Sequence, residues 1–183
     1  VLYFPKFFHP DPSVGRQSGF LQPQLNNSNI LGSSFRIPYF HVLAENKALT
    51  FTPSIFDKDI YMIQNEYREE NKNSSLIADI GFAKGYKSEV TDNKKKNIGH
   101  LLAKFDLDLD LSSFINSNFK ISLENVTNDT YLKVFDSNLT NTSPKIMPKN
   151  KGQLTSNLEL NLDHEKYSFD TGITAYETLS GTD

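Results

Sequence analysis

The chain has 183 residues, with 22 acidic against 19 basic side chains, 14 Phe, 8 Tyr, 18 Asn, and neither Cys nor Trp. The missing cysteine excludes a disulfide scaffold and any thiolate metal site, and a formal charge of −3 offers no footprint for nucleic acid. No run approaches the roughly 18 apolar residues of a membrane helix, and Val1-Leu2-Tyr3-Phe4-Pro5 lacks the pattern of a secretory leader. Starting without Met and stopping at Ser180-Gly181-Thr182-Asp183, straight after a strand-like stretch, the chain reads as an internal piece of a longer protein.

The dominant signal along the chain is period two, the spacing of a strand with two unlike faces. The first half is noisier and gives strand candidates at Ser18–Gln24, Asn29–Phe40, Ala48–Ile55, Ile60–Glu69 and Ser75–Lys84. The clearest case follows, from Gly99 to Leu111. Leu101, Ala103, Phe105, Leu107, Leu109 and Leu111 share one face, and His100, Lys104, Asp106, Asp108 and Asp110 the other. Helical spacing would scatter both sets around the cylinder. The alternation returns at Phe119, Ile121 and Leu123; at Leu154, Leu158, Leu160 and Leu162, opposed by Asn157, Glu159 and Asn161; and at Tyr167, Phe169, Ile173 and Ala175.

This is an all-β chain of about nine strands. Many run to about 9–13 residues, longer than usual in soluble sheets. Long loops (Gly85–Ile98, Thr127–Lys151) alternate with short links (Ser112–Asn118, His164–Lys166). That describes an antiparallel up-and-down meander of the outer-membrane barrel type. A soluble sandwich also alternates, but it turns its apolar face to a core; strand length favours a bilayer crossing.

Candidate chemistry is sparse. Asp106, Asp108 and Asp110 invite a calcium reading, yet on an extended strand alternate carboxylates stand about 6.6–6.8 Å apart and cannot converge on one ion. They read as a wet polar face, which in a barrel lines the lumen. The four histidines are far apart in sequence and show no metal or general-base spacing. No nucleophile elbow or phosphate loop is present, so nothing points to an enzyme, a metal or a cofactor. Pro23 and Pro38 are more telling. Proline donates no ladder bond, so these positions mark either a blunted edge or a seam made weak enough to open.

The order of several short motifs then resembles one family. Tyr3-Phe4-Pro5-Lys6-Phe7-Phe8-His9-Pro10-Asp11-Pro12-Ser13-Val14 is followed by Arg16-Gln17-Ser18-Gly19-Phe20-Leu21-Gln22-Pro23, then Ile37-Pro38-Tyr39-Phe40, Leu49-Thr50-Phe51-Thr52-Pro53 and Gln64-Asn65-Glu66-Tyr67-Arg68. This series resembles LptD, the lipopolysaccharide-assembly family of the Gram-negative outer membrane, in what looks like its alphaproteobacterial branch. Gly15 stands where the family often carries a basic residue.

The resemblance implies a barrel of about 26 strands behind a periplasmic jelly roll. Residues 1–17 would be the exit of that domain, and 18–183 the first nine or so strands. It implies lipopolysaccharide as cargo, an LptE-type plug lipoprotein, an LptA-type bridge reached through the preceding domain, and surrounding outer-membrane lipid. The lateral gate would fall at Pro23 and Pro38. Phe7, Phe20, Leu21 and Phe35 become candidate lipid contacts near it. Asp106, Asp108, Asp110, Asn157, Glu159 and Asn161 become candidate lumen lining, with Leu101–Leu111 and Leu154–Leu162 facing lipid.

Overall fold

The computed structural model describes residues 15–57, 59–87, 96–139 and 142–180. Eleven strands form one antiparallel sheet: β1 (Gly19–Phe20), β2 (Gln24–Ser28), β3 (Gly32–Arg36), β4 (Tyr39–Ala44), β5 (Lys47–Phe56), β6 (Tyr61–Glu70), β7 (Ser74–Tyr86), β8 (Lys96–Asp108), β9 (Asn116–Val126), β10 (Gln153–His164) and β11 (Tyr167–Thr178). From β4 onward each strand pairs with its sequence neighbour. The meander expected from the alternating loop lengths is therefore the observed topology. Short links close one end of the sheet: Glu45-Asn46, residues 71–73, 109–115 and 165–166.

The two extra strands come from the prolines. The first expected strand is split into β1 and β2 around residues 21–23, and the second into β3 and β4 at Ile37-Pro38. The chain thus makes nine passes, two of them interrupted. Across the first break the register slips by one. Phe20 faces Tyr39, but Gln24 faces Arg36, so three residues (21–23) oppose two (37–38). Neither proline can donate to the ladder, and a bond from Leu21 N to Pro38 O (2.8 Å) bridges the gap. On its other side the second pass keeps register with β5 across the break, Arg36 opposite Ser54 and Tyr39 opposite Phe51, and shifts only further on, between Val42 and Ala44.

Several points differ from the sequence reading: β2 runs on to Ser28 and β4 to Ala44, past the expected ends at Gln24 and Phe40. β8 ends at Asp108, not Leu111. Asp110 takes a left-handed backbone (φ 50°) and Asp108 Oδ1 accepts its N–H, an Asx turn that ends the strand. Asp110, Leu109 and Leu111 consequently belong to a turn, and Asp110 leaves the expected row of lumen carboxylates. Leu154 shares the parity of Leu158 along an unbroken β10–β11 register, yet it is not exposed as Leu158 is. It is 1% exposed, inside a cluster with Leu31, Phe56, Met62, Tyr131 and Phe135.

The segment after β9 is more than a polar loop. It folds through two short helical turns, α1 (Tyr131–Val134) and α2 (Asp136–Leu139), and buries Tyr131, Leu132, Val134, Phe135, Leu139 and Ile146 against the sheet. Phe135 sits at the centre, edge-on to Phe56 and Tyr86 and stacked on Tyr131 at a centroid distance of 5.0 Å.

Candidate functional site: a roofed polar wall and a broken seam

Register and alternation assign every strand residue to a face. One face carries Thr50, Thr52, Ser54, Gln64, Glu66, Asp79, His100, Lys104, Asp106, Asp108, Lys120, Ser122, Asn157, Glu159 and Asn161. The folded segment lies over this polar wall. The opposite face carries Phe51, Ile55, Ile63, Ile80, Phe82, Leu101, Phe105, Leu123, Leu158, Phe169 and Ile173, several of them more than 50% exposed.

A soluble sheet does the reverse, burying its apolar face and wetting its polar one. A contiguous uncovered apolar face marks a surface made for lipid or for another protein, and apolar-out with polar-in is the barrel pattern. Among the described residues no helix is long and apolar enough to cross a membrane.

Of the expected lumen residues, Asp106, Asp108, Asn157, Glu159 and Asn161 do share the polar face, and Asn161 Nδ2 donates to Asn118 Oδ1 across the β9–β10 pair (3.0 Å). The lipid-contact candidates divide. Phe35 points outward and, with Leu25 and Ile55, lines an apolar hollow beside the seam. Phe20 is 76% exposed and meets Tyr39 edge-on at 5.0 Å. Leu21 instead lines a cavity on the polar side, together with Pro38, Gln64, Arg68 and Ser143. Phe7 lies outside the described residues. The two prolines stand at one level of the sheet. Pro23 is exposed and Pro38 buried.

What holds the segment on the wall is a chain of buried polar contacts that the sequence did not announce. Asp79 is fully buried. Its Oδ2 accepts from Gln64 Nε2 and from Thr142 Oγ1, both at 2.6 Å. Its Oδ1 stands 3.4 Å from His100 Nε2, and His100 Nδ1 is 2.8 Å from the Tyr131 hydroxyl. The carboxylate favours a proton on Nε2, which leaves Nδ1 to accept from Tyr131. Burial, and secondarily the Asp79 charge, push the Tyr131 phenol above its ordinary range and keep it a donor.

Gly81 makes room for this arrangement. A Cβ there would come within 2.3 Å of the His100 ring. Two further ties flank the chain: Ser143 N donates to Glu66 Oε2 (2.9 Å), and Arg36 Nη1 donates to Asn138 O (2.9 Å). Four strands, β3, β6, β7 and β8, therefore converge on the segment from separate parts of the sequence. The arrangement binds and positions; among the described residues no group of metal-ligating side chains is assembled.

No family model matches the chain. Curated relatives do, and all those described are of one kind. The LPS-assembly protein LptD of Polaromonas sp. (strain JS666 / ATCC BAA-500) is 32% identical over 137 residues, 74% of this chain and 16% of that protein. The LptD of Legionella pneumophila (strain Lens) is 26% identical over 187 aligned positions, 98% of this chain and 21% of that protein. The LptD of Pseudoalteromonas translucida (strain TAC 125) is 26% identical over 140 residues. The comparisons support the LptD family. The chain spans about a fifth of the length of these LptD relatives.

Proposed function

We propose that this chain is the gate-side start of an outer-membrane β-barrel that passes lipopolysaccharide to the outer leaflet by non-covalent transport. The observation that carries the reading is the pairing of an inverted sheet, apolar out and polar in, with a proline-broken ladder between its first two passes. Each ladder bond that is missing removes a net stabilisation of about 0.5–1.5 kcal/mol, so the first pass parts from the second more easily than the unbroken passes part from one another.

The chemistry on the two sides of that seam suits an amphipathic cargo. Outside it lies the apolar hollow of Leu25, Phe35 and Ile55, fit for acyl chains. Inside it lies the polar cavity of Leu21, Gln64, Arg68 and Ser143, of about 570 Å³, fit for sugar. In this reading the N-terminal end is periplasmic and leads back to a jelly roll that meets an LptA-type bridge, and Pro23 and Pro38 mark the lateral gate. An LptE-type plug fills lumen space further from the seam. The name of the relatives, LPS-assembly protein, supports the cargo.

The test is photo-crosslinking in cells that carry the full-length parent, with the crosslinking residue at Leu21, Phe35 and, as control, the exposed turn residue Ser113. Lipopolysaccharide adducts at the first two positions and none at Ser113 are expected. A folded, surface-assembled parent that captures none at Leu21 or Phe35 overturns the reading.

A further inference from the structure

In an antiparallel pair that bonds, each residue donates to the other. Leu21 N donates to Pro38 O (2.8 Å), and Pro38 has no N–H with which to return the bond. That weakens the second pass on the side of the first.

A third proline repeats the defect on the other side. Arg36 faces Ser54 and Tyr39 faces Phe51, which sets Ile37 opposite Pro53 and Pro38 opposite Thr52. Ile37 N lies 3.4 Å from Pro53 O, and the return bond to Ile37 O is missing because Pro53 carries no N–H. Pro53 stands inside β5, which is paired on both sides, a place where proline is otherwise avoided. Residues 21–23, 37–38 and 53 thus form a row of ladder defects across three passes, at one level of the sheet.

The row divides the first two passes into unlike halves. Toward the short links, β1 is held to β4 by two residue pairs. On the other side of the row, β2 and β3 are joined by five pairs and by their own turn, and Arg36 Nε donates to Gln24 Oε1 (2.7 Å) at the base. The same hairpin is held to β5 by three pairs, extended by Asp57, whose N donates to Ser33 O (3.0 Å) and whose Oδ2 accepts from Ser33 N (2.9 Å). By ladder pairs it is bound more firmly within itself than to the third pass. Leu31 at its tip, seated in the apolar cluster, and the bond from Arg36 to Asn138 O keep it shut at rest.

We propose that Pro53 is a positioning residue of the gate: with Pro23 and Pro38 it sets a transverse hinge, about which the β2–β3 hairpin swings as one leaf away from the third pass. The inference rests on the transport reading and adds which unit moves. With the N-terminal end periplasmic, the turn of this hairpin lies on the outer side. The half of the seam that opens is then the half where the cargo leaves.

Two variants of the full-length parent test the hinge. Each is checked for folding by heat-modifiable gel mobility and read by the rate at which labelled lipopolysaccharide reaches the cell surface. Pro53→Ala returns the missing donor, and one added ladder bond is expected to slow delivery about 2- to 13-fold. The new amide at position 53 is expected to be protected from exchange, and the urea midpoint to hold or rise. A residue needed only for folding would behave otherwise, losing stability and delivery together.

The second variant, F35C/I55C, joins directly opposite residues of β3 and β5. Once oxidised it is expected to deliver about tenfold less, or lower still, than either single-cysteine variant, because opposite strand positions suit a disulfide and the leaf is then fastened. The same link in I63C/F82C, between β6 and β7, is expected to leave delivery unchanged.

Unslowed delivery by Pro53→Ala with a protected amide at position 53 overturns the hinge. So does delivery by the disulfide-linked F35C/I55C protein at the rate of its single-cysteine variants, or equal slowing by I63C/F82C. Where the amide at position 53 stays unprotected, the F35C/I55C result alone decides. Lipopolysaccharide crosslinks at Leu21 and Phe35 that persist beside such a result leave the transport reading standing and remove only the hinge.

Discussion

Removing the Tyr131 hydroxyl tests whether the buried chain Asp79–His100–Tyr131 holds the folded segment down. In Tyr131→Phe the ring keeps its place, because it is fully buried and stacked on Phe135. Only the 2.8 Å contact to His100 Nδ1 is lost. A buried nitrogen left without its partner costs roughly 1–3 kcal/mol, which makes opening of the segment about 5- to 150-fold more frequent. The amides to follow by hydrogen exchange are Val134, Phe135 and Leu139, whose N–H groups bond to Thr130, Tyr131 and Phe135 carbonyls within the segment. Their exchange in the full-length parent is expected to speed up by that factor, while ladder amides in β6 and β7 stay within twofold. Unchanged exchange at all three amides would refute the claim that this contact fastens the segment. Equal acceleration in β6 and β7 would show instead that the hydroxyl supports the whole sheet.

Two further expectations follow from other parts of the molecule. Phe82→Arg places a charge on the outward face, where Phe82 is 51% exposed; in a bilayer the folded protein loses about 2–4 kcal/mol, read by urea titration in vesicles, whereas a change within about 0.5 kcal/mol would mean that water covers this face. Asp129 accepts hydrogen bonds from both the Oγ and the N of Ser180, which hold its carboxyl below the usual range. A depressed folded-state value contributes stability that is fully present above the unfolded value, near 3.8, and is lost as pH falls through the lower folded one. Exchange of the Ser180 amide is therefore expected to be flat, after correction for intrinsic rates, from pH 8 to 5, and to accelerate beyond the intrinsic rate only below about pH 4; loss near pH 6 would contradict it.

Much of the fold was legible because a strand writes its faces into every second residue. Leu101 to Leu107 against Lys104 to Asp108 needed no partner to be read. The prolines were legible for a similar reason, since a residue without an N–H interrupts a ladder wherever it stands. The register slip around Pro23 was not, because it depends on which residue lies opposite. Asp110 misled because the D-x-D-x-D rhythm continues past the point where the Asp108 side chain caps the backbone and turns it.

His100 looked isolated for a plainer reason. Its partners Asp79 and Tyr131 sit 21 and 31 positions away, and only the β7–β8 pairing, with His100 opposite Gly81, brings them together. The folded segment carried a faint signal in Tyr131, Leu132, Val134, Phe135 and Leu139, apolar residues at helical spacing, but two four-residue turns are too short to stand out of an Asn-rich stretch.

The ties of that segment also set an order of assembly. Hairpins such as β10–β11 close over a two-residue turn and need little chain entropy. The bonds that seat the segment join residues 63 positions apart (Thr142 to Asp79), 78 apart (Thr142 to Gln64) and 102 apart (Arg36 to Asn138). Contacts of such range form after the local ones have brought their ends together. The interior is accordingly the last part to close, and a chain arrested before that step would already show its full set of strands while still standing open to solvent from above.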